Sequence, residues 1–562
     1  MSAILLRHLT FLYGEEKAPS LLDRVESILT KYRARIALQN GGLSERDSIL
    51  ITYGDQVQSP DEKPLRTLKK FCDKYLTDAV GGVHILPFYP WSSDDGFSVV
   101  DYRQIDPGLG DWDAVSALGH FRLMFDGVIN HISSQSKWFQ KFLQDDPQYR
   151  EYFTTVEGEP DLSQVVRPRA LPLLTTFETP SGEKKVWTTF SADQIDLNFK
   201  NPEILLEILD ILLLYVERGA DFIRLDAIAY LWKEIGTTCI HLPQTHAVIQ
   251  FLRAALNEVA PHVHLITETN VPHPDNISYF GDGANEAQLV YNFALPPLTL
   301  HAMHTSEART LSNWARTLSL PSRQTTFFNF LASHDGIGLN PARGILSDAD
   351  IETLVEKTLE HGGLISCKHN ADGTQSPYEM NINYFDALSN PNGNEPLDLQ
   401  IRRFITAQAI MLSLIGVPGI YFHSLFGSRG WLEGVKQTGR NRTINREKCR
   451  FDELEKQLAD ETSLRSKVFK KYSQLLNVRS GTHAFHPHGT QRILDVHPSV
   501  FAVERTSPDG FSQVLCFHNV GQKQISFSTN YQSARDLFAD QELQISNITL
   551  EPYQVLWLKM KG

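Results

Sequence analysis

The stretch Asp221–Tyr230 reads DFIRLDAIAY, and the fold class follows from it and its neighbours. Phe222, Ile223 and Leu225 form a short apolar run that predicts a buried strand. The run ends in Arg224 and Asp226. Residues two apart on a strand share a face, so the guanidinium lies beside the carboxylate and keeps it ionised at neutral pH. An oriented, ionised carboxylate at a strand end is what a nucleophile for glycosyl transfer requires. Alone, the pair reads better as a structural ion pair closing a strand. Its neighbours decide.

Seven further runs of the same kind flank it. Before it come Ser48–Tyr53 (SILITY), Gly82–Leu86 (GVHIL) and Leu123–His131 (LMFDGVINH). After it come Val263–Glu268 (VHLITE), Gln288–Phe293 (QLVYNF), Thr326–Leu331 (TFFNFL) and Gly416–Tyr421 (GVPGIY). Helical stretches separate them. In one, Asn201 caps, Pro202 takes the first position, Leu205 to Val216 supply the apolar face and Gly219 ends the helix. Apolar strands alternating with helices indicate a parallel sheet covered on both faces. Eight such units predict an α/β fold, a (β/α)8 TIM barrel, over residues 48–483.

Two connections exceed ordinary loops. Residues 132–195, after the third strand, carry VVRPRALP and TPSGEKK and predict a small inserted domain. Residues 336–400, after the seventh, form a second long, polar insertion. Both follow the C-terminal end of a strand, the face where barrel active sites lie. Residues 1–47 predict a helical extension, with Leu21, Leu22, Val25, Ile28, Leu29 and Tyr32 at helical spacing and Ser20 as cap. From 484 to 562, short alternating runs (SVFAVER, SQVLCFHNV, YQVLWLKM) predict an antiparallel β domain.

The 562 residues, 41% hydrophobic and 21% charged, are those of a soluble globular protein. A net charge of −13 argues against nucleic acid or an anionic membrane as partner. The five cysteines are scattered and form no CxxC pair, which suits a reducing cytoplasm. The N-terminal apolar run is too short for a secretory signal, and no run of about 18 apolar residues suggests a membrane span.

Polar groups stand where buried strands would avoid them. The third run ends in Asn130 and His131, the fourth in Arg224 and Asp226, the fifth in Glu268, and the seventh leads to His334 and Asp335. The loop after the second carries Asp94 and Phe97. In a parallel barrel all these ends open on one face. Neighbouring strands lie about 4.8 Å apart, so Asp226 and Glu268 are placed to reach the roughly 5–5.5 Å separation of a retaining glycosidic mechanism. Asp226 would attack the anomeric carbon. Glu268, its pKa raised by burial and nearby carboxylates, would act as acid and then base. Asp335 would bind sugar hydroxyls and stabilise developing positive charge. Asn130 and His131 lack a cluster of oxygen ligands, so a sugar hydrogen bond from His131 is expected rather than a metal site. No cofactor is expected.

The motifs DGVINH, FIRLDA, ITETN and ASHD resemble the four signature regions of the α-amylase family of glycoside hydrolases. The stretches GVHILPFYPWSSDDGF, RPRALP, VWTTFSADQIDLNF, RLDAIAYLWKEIGTTC, YNFALPPLTLHA, SHDGIGL and NRTINR are similar to the sucrose phosphorylase subfamily. The resemblance runs over roughly residues 48–562. It implies a glycosyltransferase: a retaining α-glucoside phosphorylase with Asp226 as nucleophile, Glu268 as acid/base and Asp335 as stabiliser. It further implies glucose contacts from Asp94, His131, Arg224, His334 and Arg442, with Phe97 as an apolar platform. Arg169 and Tyr378 match positions that receive phosphate, and Gln194 an acceptor-site position. The implied partners are small molecules: an α-glucoside, inorganic phosphate and glucose 1-phosphate.

This chain departs from typical sucrose phosphorylases in its helical N-terminus. Ser376 stands where they carry an acidic fructose contact, and Glu379 where they carry an amide, which places Glu379 among the acceptor-site candidates. The departures put sucrose in doubt as substrate, and the resemblance of PWSSDDGFSVVDY, NFLASHDGIGLNP and GTQSPYEMN within the subfamily implies glycerate as leaving group, with Arg169, Arg440 and Arg442 as candidate partners for its carboxylate. Sucrose, sucrose 6-phosphate and glucosylglycerol remain alternative substrates. The triad alone also fits a hydrolase or transglucosidase, and a non-catalytic scaffold would have lost a carboxylate that this chain retains.

Overall fold

Eight parallel strands close into a barrel in chain order in the computed structural model, which describes residues 2–39, 41–168, 171–369 and 374–561. They are β1 (Ile49–Thr52), β2 (Gly82–Ile85), β3 (Arg122–Gly127), β4 (Ala220–Leu225), β5 (His264–Thr267), β6 (Leu289–Tyr291), β7 (Thr326–Asn329) and β8 (Val417–Tyr421). Each coincides with one of the eight apolar runs, and the fold is the (β/α)8 barrel that the alternation predicts. The strands stop short of the polar groups read as their ends. β3 closes at Gly127, so Asn130 and His131 lie beyond it. Asp226 and Glu268 directly follow β4 and β5, and His334 and Asp335 lie several residues past β7. Where such groups do lie within a strand, as Arg224, Asp126 and His84 do, they are buried against one another.

The barrel interior is closely filled. A methyl group added at Gly419 on β8 would sit 2.5 Å from the ring of Phe328 on β7, so the glycine makes space for an aromatic that is fully buried.

Two N-terminal helices, α1 (Ser2–Tyr13) and α2 (Ala18–Arg33), pack on the outer helices α3 (Pro202–Glu217) and α4 (Pro243–Val259). Leu21, Val25, Leu29 and Tyr32 of α2 are buried. At about 1.5–3 kcal/mol for a fully buried large apolar side chain, that stripe outweighs the rim pairs Arg24–Glu203 and Arg33–Glu258, since exposed pairs contribute about 0–1 kcal/mol. Ser20 does not cap α2. The helix begins at Ala18 with Pro19 in its first turn, and the Ser20 hydroxyl donates back to the Lys17 carbonyl. Proline is pre-set for a first turn, so the start moves ahead of Ser20. In α3, Asn201 caps by accepting from Glu203 N at 3.1 Å.

Residues 132–195 hold a helix (Lys137–Leu143) and a small antiparallel sheet. They are tied to the barrel mouth where His131–Ser133 pairs with Gln194–Asp196. After β7, Ile337–Gly338, Gln375–Asn381 and Leu364–His369 form a second small sheet beside the helix Asp348–Glu360. Beyond residue 484 the strands are antiparallel: a six-stranded sheet and a two-stranded ribbon. Among the described residues no helix is long and apolar enough to cross a membrane.

Candidate active site

Register fixes the central pair. Arg224 and Leu225 on β4 lie level with Ile266 and Thr267 on β5. The next residues, Asp226 and Glu268, therefore leave neighbouring strands at the same height. Asp226 N donates to Gly127 O at 3.2 Å and Glu268 N to Leu225 O at 3.1 Å, which extends the barrel bonding by one residue at each position. Ala227 then turns left-handed at φ 48°, and its N–H donates to Glu268 Oε2 at 3.1 Å. The backbone after the first carboxylate thus aims the second.

The two carboxyls differ in environment. Burial raises the Asp226 carboxyl pKa, while Arg224, 2.8 Å away, pulls it down; the net direction is upward. The sequence reading assigned control to Arg224 alone. Its guanidinium is shared: the same Nη1 donates to Asp126 on β3, which also meets His84 Nε2 at 2.7 Å. Burial pushes Glu268 up to about 7, with Asp226 and Asp335 adding to the rise against Arg224, whose Nη2 is 3.9 Å distant. Asp335 goes the other way. Burial would raise it, but Arg442 at 2.5 Å, with His334 and Arg446, holds it well below the ordinary carboxylate range. At neutral pH Asp335 is therefore ionised, and Glu268 is the carboxyl poised to hold or release a proton near pH 7.

Asp226, Glu268 and Asp335 open on one cavity of about 80 Å³. Asp94, Phe97, His131, Gln194, His334, Tyr378 and Arg442 also line it. Phe97 lies flat against His334, ring centroids 4.8 Å apart and planes 3° from parallel. Burial lowers the His334 pKa to about 3 and also lowers that of His131, so both rings are neutral hydrogen-bonding groups. His131 Nε2 lies 2.9 Å from the Phe97 carbonyl, and Gln194 Nε2 donates to Asp94 at 3.2 Å. The loop with Asp94 is strained: Asp94 and Asp95 take φ 55° and 51°, conformations that cost non-glycine residues about 1–2 kcal/mol each. Gly96 follows because a Cβ there would meet the Pro87 carbonyl at 2.7 Å.

Two of the sequence-derived candidates sit off the inner cavity. Arg224, 2% exposed, lies behind Asp226 and off the cavity wall, because two carboxylates hold it. Glu379 faces a second, outer cavity and is bonded twice to Arg442, at 3.0 and 2.6 Å. Arg169 lies outside the described residues. Ser376 is on neither cavity's wall.

Sequence reasoning missed the supports. Asp193 gathers serine hydroxyls: it accepts from Ser92 and Ser98 at 2.6 and 2.8 Å, from Ser134 at 2.5 Å, and from Ser93. It thereby ties the Asp94 loop to the segment holding Gln194. The Asn130 amide oxygen meets the ammonium of Lys233 at 2.9 Å, and Asp196 pairs with the same ammonium at 2.6 Å. Tyr230 and Asn270 also line the inner cavity. Among the described residues no three His, Cys, Asp or Glu side chains are grouped to hold a metal ion.

A parallel barrel carrying two neighbouring buried carboxyls, Asp226 and Glu268, and the ionised Asp335 at its C-terminal mouth is the framework of a glycosyl-transferring enzyme. Residues 74–338 match the family described as "Alpha amylase, catalytic domain". The chain is 51% identical to the glucosylglycerate phosphorylase of Allomeiothermus silvanus over 99% of its own length and 98% of the relative's. It is 45% identical to that of Escherichia coli over 97% and 96%. A crystal structure of sucrose 6F-phosphate phosphorylase from Thermoanaerobacter thermosaccharolyticum superposes with a TM-score of 0.74 at 26% identity, covering 89% of this chain and 98% of that one. The chain belongs to the α-amylase family and, within it, to the sucrose phosphorylase subfamily of α-glucoside phosphorylases.

Proposed function

We propose that the protein is a glucosylglycerate phosphorylase, converting 2-O-α-D-glucosyl-D-glycerate and phosphate into α-D-glucose 1-phosphate and D-glycerate. The near full-length likeness to enzymes of that name supports the substrate. The observation that carries the chemistry is the neighbouring pair Asp226 and Glu268, one beside Arg224, the other with its pKa pushed up to about 7.

Asp226 attacks the anomeric carbon as the bond to the glycerate oxygen breaks. Glu268 gives its proton to that oxygen, and glycerate leaves. A β-glucosyl ester on Asp226 remains. Phosphate then enters; Glu268 takes its proton, a phosphate oxygen attacks the same carbon from the α face, and the ester bond breaks. Two inversions give net retention. Asp335 binds two hydroxyls and stabilises the positive charge developing on the ring. Asp94, His131, His334 and Arg442 hydrogen-bond glucose over Phe97. Tyr378, at the junction of the two cavities, Gln194 and Arg169 serve phosphate and acceptor, and Glu379 acts through Arg442. The working partners are these small molecules; the net charge of −13 suits neither nucleic acid nor an anionic membrane. A reducing cytoplasm suits five free thiols, four of them buried.

A donor panel tests the substrate. With phosphate present, glucosylglycerate is expected to be the best donor among glucosylglycerate, sucrose, sucrose 6-phosphate and glucosylglycerol. Faster glucose 1-phosphate release from sucrose would overturn the assignment.

A further inference from the structure

The outer cavity, about 740 Å³, adjoins the inner one and shares Asp94, Pro168, Tyr378 and Arg442 with it. A leaving group departing from the inner site enters this space. Among the described residues three arginines line it: Arg440, Arg442 and Arg446. Two are already neutralised. Arg442 is bound by Asp335 and Glu379. Arg446 is bound by Asp95 and by the His334 carbonyl, and lies 3.6 Å from Asp335. The Asp193 carboxylate on the same wall is occupied by serine hydroxyls.

Arg440 differs. Its only ion pair among the described residues is a 3.9 Å approach to Asp95, whose other oxygen belongs to Arg446. Its side chain is 51% exposed. Its backbone is fixed, however. Gly439, left-handed at φ 68°, ends the helix Leu432–Thr438, and Arg440 N donates to the Thr438 hydroxyl at 3.2 Å. A firmly held backbone thus presents a guanidinium with uncommitted donors at the mouth of the leaving-group cavity. A planar guanidinium matches a carboxylate with two parallel bonds.

We infer that Arg440 is a specificity-determining residue of the acceptor subsite and binds the carboxylate of a small 2-hydroxy acid; this rests on the proposed function, in which that acid is D-glycerate. A neutral polyol of similar size, such as glycerol, gains nothing from it.

The test runs the reaction in the synthetic direction from α-glucose 1-phosphate, with D-glycerate or glycerol as acceptor, on the wild type, Arg440→Ala and Arg440→Lys. Phosphorolysis supplies the KM for phosphate. The preference for glycerate over glycerol, as a ratio of kcat/KM values, is expected to fall about 10- to 100-fold in Arg440→Ala, the scale of one charge-assisted pair. Arg440→Lys should restore part of it, and the KM for glucose 1-phosphate should stay within about threefold. An unchanged ratio overturns the inference. So does an equal loss with both acceptors, which marks a structural role, or a rise confined to the KM for phosphate, which makes Arg440 a phosphate ligand. A wild type that glucosylates glycerol but not glycerate overturns the functional reading itself.

Discussion

Asp226→Ala is expected to lower turnover about 100,000-fold while leaving the barrel folded. Loss of a covalent nucleophile removes a whole reaction path, and such losses reach that scale in enzymes that form covalent intermediates. The fold should tolerate the change because Arg224 keeps Asp126, which also holds His84. The guanidinium is then still paired, so the cost of a buried, uncompensated charge is avoided. Steady-state rates and a thermal melt check both halves. Near-normal activity in the variant overturns the nucleophile assignment. A melting temperature that collapses with activity would mean that Asp226 is primarily structural.

Glu268→Gln is expected to cost about 100- to 10,000-fold in phosphorolysis, the usual range for a general acid. Its pH signature is more specific. The group must be protonated to release glycerate. With a pKa pushed up to about 7, the acid form is complete below pH 7 and is lost as pH rises through it. In a double displacement, kcat/KM for the glucoside reports only formation of the glucosyl ester, so the ionisation of phosphate does not enter. That parameter should fall tenfold per pH unit above about pH 7 in the wild type. At the acidic end it should fall again as Asp226 gains a proton. The glutamine variant cannot lose a proton and should keep a flat alkaline side. An alkaline limb that survives in Glu268→Gln would assign the acid to another group.

The barrel is legible in the sequence because each strand is buried on both faces and so appears as a mostly apolar run. A polar residue directly after such a run, as at Asp226 and Glu268, stands out against it. The supports are not legible in this way. Asp126 and Arg224 lie 98 residues apart and meet only because β3 and β4 are neighbours. Asp126 therefore reads as one more polar residue in an apolar strand until its partner is placed. Asp193 and its serines look like ordinary loop composition; only folding brings the 92–98 loop and the 133–134 turn onto one carboxylate. Arg442 is visible as a cation, but its double commitment to Asp335 and Glu379 depends on the segment after β7. Gly336 in that segment is legible in retrospect: a Cβ there would approach the Glu379 side chain to 2.6 Å, so the glycine after Asp335 admits Arg442's second partner.

The triad is common to enzymes that resolve the glucosyl ester with water or with another sugar, so the central claim is the identity of the second nucleophile. Purified protein incubated with 2-O-α-D-glucosyl-D-glycerate, with and without inorganic phosphate, separates the cases when glucose 1-phosphate and free glucose are both followed. α-Glucose 1-phosphate is expected as the main product with phosphate and, without it, only slow release of glucose. Free glucose appearing equally fast in the absence of phosphate would contradict the central claim.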